Sequence, residues 1–220
     1  MGRQSCRKWH RVFLAGAFAL GVLTTPSPLP AQSSVFHSRF SGLAAEASFT
    51  GYDPSTESWT EVNLFALDGR RQVGAARPEP TTSLWVQVMK TDPQTGFRWL
   101  DGFAATELAG GSFQIDRSLS QASLRTTVRL YDFSSGSYFP LALDLHWKGA
   151  GDRSRSTEQS GFVGDGYLFR YRTVGFSRTA TAMGVFVLAD WSPETLGPAS
   201  GASLSSTADG YLEVRSGNGP

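Results

Sequence analysis

The segment SYFPLALDLHWK, residues 137–148, alternates apolar and polar side chains without a break. This alternation constrains the fold more than any other feature of the chain. Successive side chains of a strand point to opposite faces, so Phe139, Leu141, Leu143, Leu145 and Trp147 are expected on one face. Tyr138, Pro140, Ala142, Asp144, His146 and Lys148 then share the other. Residues 122–131 repeat the pattern, with Ala122, Leu124, Thr126, Val128 and Leu130 opposite Ser123, Arg125, Thr127, Arg129 and Tyr131. The same rhythm marks strands at 58–67, 83–91, 97–105, 112–117, 166–174, 179–189 and 211–215, whereas apolar residues at helical spacing are missing. Strands parted by polar turns argue for an antiparallel sandwich or barrel, and the expected fold is an all-β antiparallel β-sandwich of about eight to ten strands.

The turns repeat as well. Asp53 opens DPSTE, Asp92 opens DPQTG and Asp132 opens DFSSG, at intervals of 39 and 40 residues. Each suits a hairpin in which the aspartate caps nearby amides and a final glycine takes positive φ; Glu57 replaces that glycine in the first. Setting Asp53 on Asp132 matches Tyr52 to Tyr131, Trp59 to Tyr138, Val62 to Leu141 and Leu64 to Leu143. Two similar halves, about 43–115 and 122–190, would explain this, and so would any antiparallel sheet with aromatic strands and Asp turns.

The N-terminus carries Arg3, Arg7, Lys8 and Arg11, then the apolar run VFLAGAFALGVL at 12–23, then the proline-broken TTPSPLPAQ. A charged start, a short apolar helix and a small residue before the cut describe a signal peptide, here residues 1–31 with cleavage after Ala31. The run is too short to span a bilayer, which takes about 20 apolar residues. Residues 32–220 would then be a single β-sandwich domain, secreted, periplasmic or at the cell surface.

Removing residues 1–31 takes four positive charges and the only cysteine, leaving 16 basic and 19 acidic residues. The remaining chain can form no disulfide, so its core alone must hold it. A domain of this size buries roughly 70% of its extended-chain surface, which is enough. The charge balance holds no concentrated basic footprint, so no nucleic acid is expected as partner. Nor is a membrane span expected, because no second long apolar run follows the first.

Residues 128–155, VRLYDFSSGSYFPLALDLHWKGAGDRSR, resemble a pattern in exported bacterial proteins of unassigned function. In these a D-F-x-S-G hairpin precedes an alternating strand and then W-x-G-x-G-x-x-x-R. The segment ASFTGYDPSTESWTEVNLFA is similar to the opening of the same group. The resemblance implies an exported all-β fold and no particular activity.

Candidate chemistry is sparse. Asp144, His146 and Lys148 stand two residues apart on one polar face, but His37 is the only other histidine after residue 31, too few for a zinc site. No G-x-S-x-G elbow accompanies the serines, and the Asp-Gly pairs do not continue into a calcium ladder, so no metal, cofactor or catalytic residue is expected. Glu46, Glu61, Asp101 and Glu107 could supply a carboxylate pair only if the fold brought two together. RSRSTEQSG, residues 153–161, reads as a partner loop, a solvated loop or a charged edge strand.

Aromatic residues are the most usable feature. Tyr131 and Tyr138 fall on the polar face, where flat rings would give a platform for a sugar; most other rings are expected in the core. The expected ligand-binding set is therefore Tyr131, Tyr138, Asp144, His146 and Lys148. The expected role is a non-enzymatic binding or structural module whose partner is a glycan or another extracytoplasmic protein; the alternative is a secreted hydrolase of glycosidic or peptide bonds.

Overall fold

A computed structural model describes residues 34–53, 57–164, 167–189 and 193–216. The expected signal peptide, with its helix, and Trp191 lie outside these. Among the described residues the chain is all β. Its strands are β1 (Ser34–Asp53), β2 (Ser58–Val73), β3 (Glu79–Thr91), β4 (Arg98–Glu107), β5 (Phe113–Ile115) and β6 (Gln121–Asp132). They continue with β7 (Ser137–Gly149), β8 (Ser154–Gly164), β9 (Tyr167–Leu188), β10 (Glu194–Leu196) and β11 (Gly201–Ser216).

All eleven belong to one antiparallel sheet, and that sheet closes on itself. Pairing runs β1 to β2, β3, β4, β6, β7, β9 and β11, and β11 returns to β1. Strands β5, β8 and β10 lie end to end with β4, β7 and β11 against the same neighbours. The result is a ring of eight strand positions, an up-and-down barrel, where the alternation predicts a sandwich of two sheets. Alternation cannot separate the two, because a strand has one apolar face in either. Closure rests on β1 and β11, whose paired residues are 153 to 182 positions apart in the chain.

The barrel is filled, not hollow. Leu141, Leu143, Leu145 and Trp147 point inward as their spacing predicts, and meet Val62, Leu64, Val86, Val88, Leu124, Leu130 and Phe186 in one core. Each such large side chain contributes about 1.5–3 kcal/mol by leaving water. The Trp147 indole donates to the Glu46 carbonyl at 3.0 Å, so its one polar atom is satisfied. At the end that carries the β1–β2, β3–β4 and β6–β7 hairpins the core turns polar. There the buried Lys90 pairs with Glu194, its ammonium lying 5.5 Å from the ring centre of Trp99 and 5.8 Å from that of Phe186.

The weakest point of the ring is the join of β4 to β6, which has two residue pairs, Gly102 with Asp132 and Phe103 with Tyr131. Asp132 reinforces it: its carboxylate accepts from the amides of Asp101 at 3.1 Å, Ser134 at 3.1 Å and Ser135 at 3.0 Å. One turn residue thus caps its own hairpin and stitches the neighbouring strand. Asp92 caps its hairpin in the same way, through Gln94 and Thr95.

Strands β1, β2, β9 and β11 run beyond the barrel and, with β8 on their edge, form an extension. Here the buried face changes sides. In β1 the buried positions are Ala45, Ala47 and Phe49 inside the barrel, but Ser38 and Phe40 in the extension; in β9 they are Ala182, Phe186 and Leu188, then Tyr171. Phe40 and Tyr171 stack with ring centres 6.0 Å apart although β11 lies between their strands, which a flat sheet would hold about 9.5 Å apart. The extension therefore curls toward the face that is outermost on the barrel.

A row of glycines marks the reversal. Gly42 pairs with Gly69 on one side and Thr207 on the other, and Thr207 pairs with Gly175 beside a bulge in β11. A Cβ on Gly42 would lie 2.6 Å from the Asp68 carbonyl oxygen, and one on Gly175 would collide with the carbonyl of Ser206. The strands bend too closely there for any side chain.

Candidate functional site

Outward-facing aromatics form a band across adjacent strands. Phe65 of β2 is the direct neighbour of Trp85 on β3, Phe103 of β4 that of Tyr131 on β6, and Tyr131 that of Tyr138 on β7. Ring centres are 5.9 Å apart for Trp85 and Phe103 and 5.0 Å for Tyr131 and Tyr138. Phe133 stands edge-on to Tyr131 at 5.1 Å, and the Arg129 guanidinium lies 4.6 Å from the centre of Tyr138. From β2 to β7 the band crosses four strand spacings, about 19 Å. Its inner members are half-buried while Tyr138 is 58% exposed, so rings lie against the barrel wall with one surface to solvent.

At its β2 end the band opens into a cleft. Phe65 also lines a hollow of about 290 Å³ where the extension curls away from the barrel. Phe40 and Tyr171 close one end, Ser203, Ser205 and Thr207 of β11 form the floor, and Glu46 and Glu158 contribute carboxylates. Ser203 donates to Glu46 at 3.0 Å. Burial, reinforced by the charge of Glu158 and opposed by a hydrogen bond with Thr173, pushes the Tyr171 hydroxyl up to about 12. That hydroxyl stays protonated at every physiological pH. Rings, hydroxyls and carboxylates in one groove supply both apolar faces and hydrogen-bond partners.

The five residues expected from the sequence divide into two groups. Tyr131 and Tyr138 stand in the band. Asp144, His146 and Lys148 share the outer face of β7, but Asp144 is six residues beyond Tyr138, about 20 Å along the strand. His146 lies 3.2 Å from Asp144 and Arg125 3.9 Å from it, all solvent-exposed or half-exposed, so these are surface pairs worth about 0–1 kcal/mol. No group of three metal-ligating side chains occurs among the described residues.

The sequence singles out Glu46 as one possible carboxylate and misses Glu158, Phe65, Phe103 and the serine floor. Trp85 and Phe65 carry a visible signal, since both fall on the outer face of alternating strands. Glu158 and Ser203 carry none, because the curl that brings them to one cleft is a property of the whole sheet. RSRSTEQSG forms most of β8, paired on one side with β9 and with no strand on the other among the described residues, which matches the edge-strand reading. Searches against protein-family models and against curated proteins gave no match for this chain.

Proposed function

We propose that this chain is an exported, non-enzymatic glycan-binding protein, and that the band from Tyr138 to Phe65 with the adjoining cleft is its binding track. The observation that carries this reading is the register that lines up outward rings on five neighbouring strands and ends them in a groove of hydroxyls and carboxylates. Sugar rings lay apolar C–H faces on such platforms while their hydroxyls meet polar partners beside them. A linear glycan suits a track about 19 Å long better than a single sugar does.

Export, and with it a partner outside the cytosol, rests on the leader. Affinity measurements on a panel of polysaccharides, using a chain that begins at Gln32, test the reading. Trp85→Ala and Tyr138→Ala, singly and together, should weaken binding, with about tenfold loss for the pair in protein whose far-ultraviolet circular dichroism shows the fold intact. Full affinity in the double variant would remove the track.

One observation favours a second reading, a glycoside hydrolase: Glu46 and Glu158 line the same cleft. Glycosidic cleavage needs two carboxyl groups across the bond. Turnover of any polysaccharide, abolished by Glu46→Gln or Glu158→Gln, would establish it in place of binding alone.

A further inference from the structure

We infer that the tip of the extension is a docking surface for a bilayer that carries anionic lipids. The site is separate from the glycan track and does not depend on it. Two independent features meet there. The first is apolar: Val163 is 77% exposed, Phe162 62% and Val35 48%, and all three lie at the distal end of the extension. Val35 pairs with Arg215, Arg215 with Leu168 and Leu168 with Val163, so Val35, Leu168 and Val163 share one row with Arg215 set among them, and Phe162 pairs with Phe169 in the next.

The second is charge. Behind that row, on the face that continues the barrel interior, the register sets Arg39 beside Tyr211, Tyr211 beside Arg172 and Glu213 beside Arg170, with Arg70 on β2 and Arg215 nearer the tip. All five arginines are exposed. Of the acidic groups on this face, Glu213 is engaged by Arg215 and by the Tyr211 hydroxyl, which leaves the four other arginines against Asp68 and Asp209. A chain whose charges nearly balance therefore concentrates cations on one sheet face, which the sequence order conceals because they come from four strands.

An apolar tip backed by arginines matches the layers of a membrane surface. Side chains such as Val163 and Phe162 enter the headgroup boundary, while guanidinium groups meet phosphates above it. A soluble polyanion would use the arginines and leave the tip idle. The first described residue also lies here, Ser34 being paired with Ser216.

The test is co-sedimentation of a chain beginning at Gln32, which keeps every described strand, with phosphatidylcholine vesicles and with vesicles that also contain phosphatidylglycerol. Heparin serves as the soluble polyanion. Binding only to the anionic vesicles is expected, falling at least about tenfold in Arg170→Glu/Arg172→Glu and falling again as salt rises. Phe162→Ser/Val163→Ser should lose vesicle binding as well, and Tyr138→Ala should keep it. These positions are exposed, so far-ultraviolet circular dichroism and melting should match the parent; where they do not, Arg170→Gln and Val163→Thr replace them. Equal binding to neutral vesicles, or heparin binding without vesicle binding, would overturn the inference.

Discussion

The barrel and the extension share four long strands, yet they hold together in different ways. Inside the ring every strand has two neighbours, and 26 buried apolar residues of the described chain form one core. Beyond the glycine row three apolar residues, Phe40, Tyr171 and Leu212, form the buried cluster, with Phe36, Phe169 and Val214 partly covered around them. One edge there, that of β8, has no partner strand among the described residues. Hydrogen bonding along a strand is thus continuous while the stability behind it is not. A ring stabilises by closure and packing together, whereas a curl has only its own small concave face. Both proposed surfaces follow from that: the aromatic track lies on the rigid wall, and its cleft and the lipid-facing tip lie on the part able to yield.

The sharpest way to break this comparison is at the reversal. Gly175→Ala places a Cβ on the Ser206 carbonyl and should cost about 4 kcal/mol or more, or prevent folding, whereas Gly51→Ala, with open space around it, should cost no more than about 1 kcal/mol. Denaturant unfolding would show both, and equal effects would mean the glycine row is incidental. Next come the two cores. Leu143→Ala in the barrel should cost about 2–5 kcal/mol, and Ala142→Ser beside it little. Leu212→Ala should cost less than Leu143→Ala and open the extension to proteases while the barrel stays resistant. Global unfolding at a single step in Leu212→Ala would show one cooperative unit.

A smaller effect sits at the seam. Asp132→Ala removes three hydrogen bonds to a charged group from the narrow join of β4 and β6 and should cost about 2 kcal/mol, with amide exchange quickening at Asp101 and Phe103. The smallest concerns acid. In the turn before β6, burial works against ionisation of Asp116, but hydrogen bonds from Ser120, Ser118 and Gln121 outweigh it and pull its carboxyl from 3.8 down to about 2. A carboxyl whose folded value is depressed stabilises fully above its unfolded value, so this contribution should be complete above about pH 4 and fade as pH falls toward 2. Asp116→Asn should lower the melting temperature at neutral pH, flatten its fall over that interval and bring the variant level with the parent near pH 2.

Strands whose buried face keeps one parity were legible in the sequence, and strands whose buried face switches were not. β6 and β7 stand where alternation places them, with Leu124, Leu130, Leu141 and Leu145 inside. β1 escaped notice over 20 residues because Phe40 is buried on one face and Phe49 on the other, so no single period runs through it. For the same reason β9 reads as two strands, 166–174 and 179–189, where the chain makes one from Tyr167 to Leu188. Tyr131 and Tyr138 were recoverable as outward rings on paired strands. Their continuation to Phe65 and the cleft was not, since it depends on which strands become neighbours and on a bend set by Gly42 and Gly175.

Hydrogen exchange along β9 measures the difference between the two regions within one strand. Its amides from Ala180 to Leu188 lie in the barrel and those from Leu168 to Gly175 in the extension. Slow exchange governed by global unfolding is expected in the first stretch, and exchange faster by at least about tenfold, governed by local opening, in the second. Uniform protection from one end of β9 to the other would contradict the division of this sheet into a closed barrel and a yielding curl.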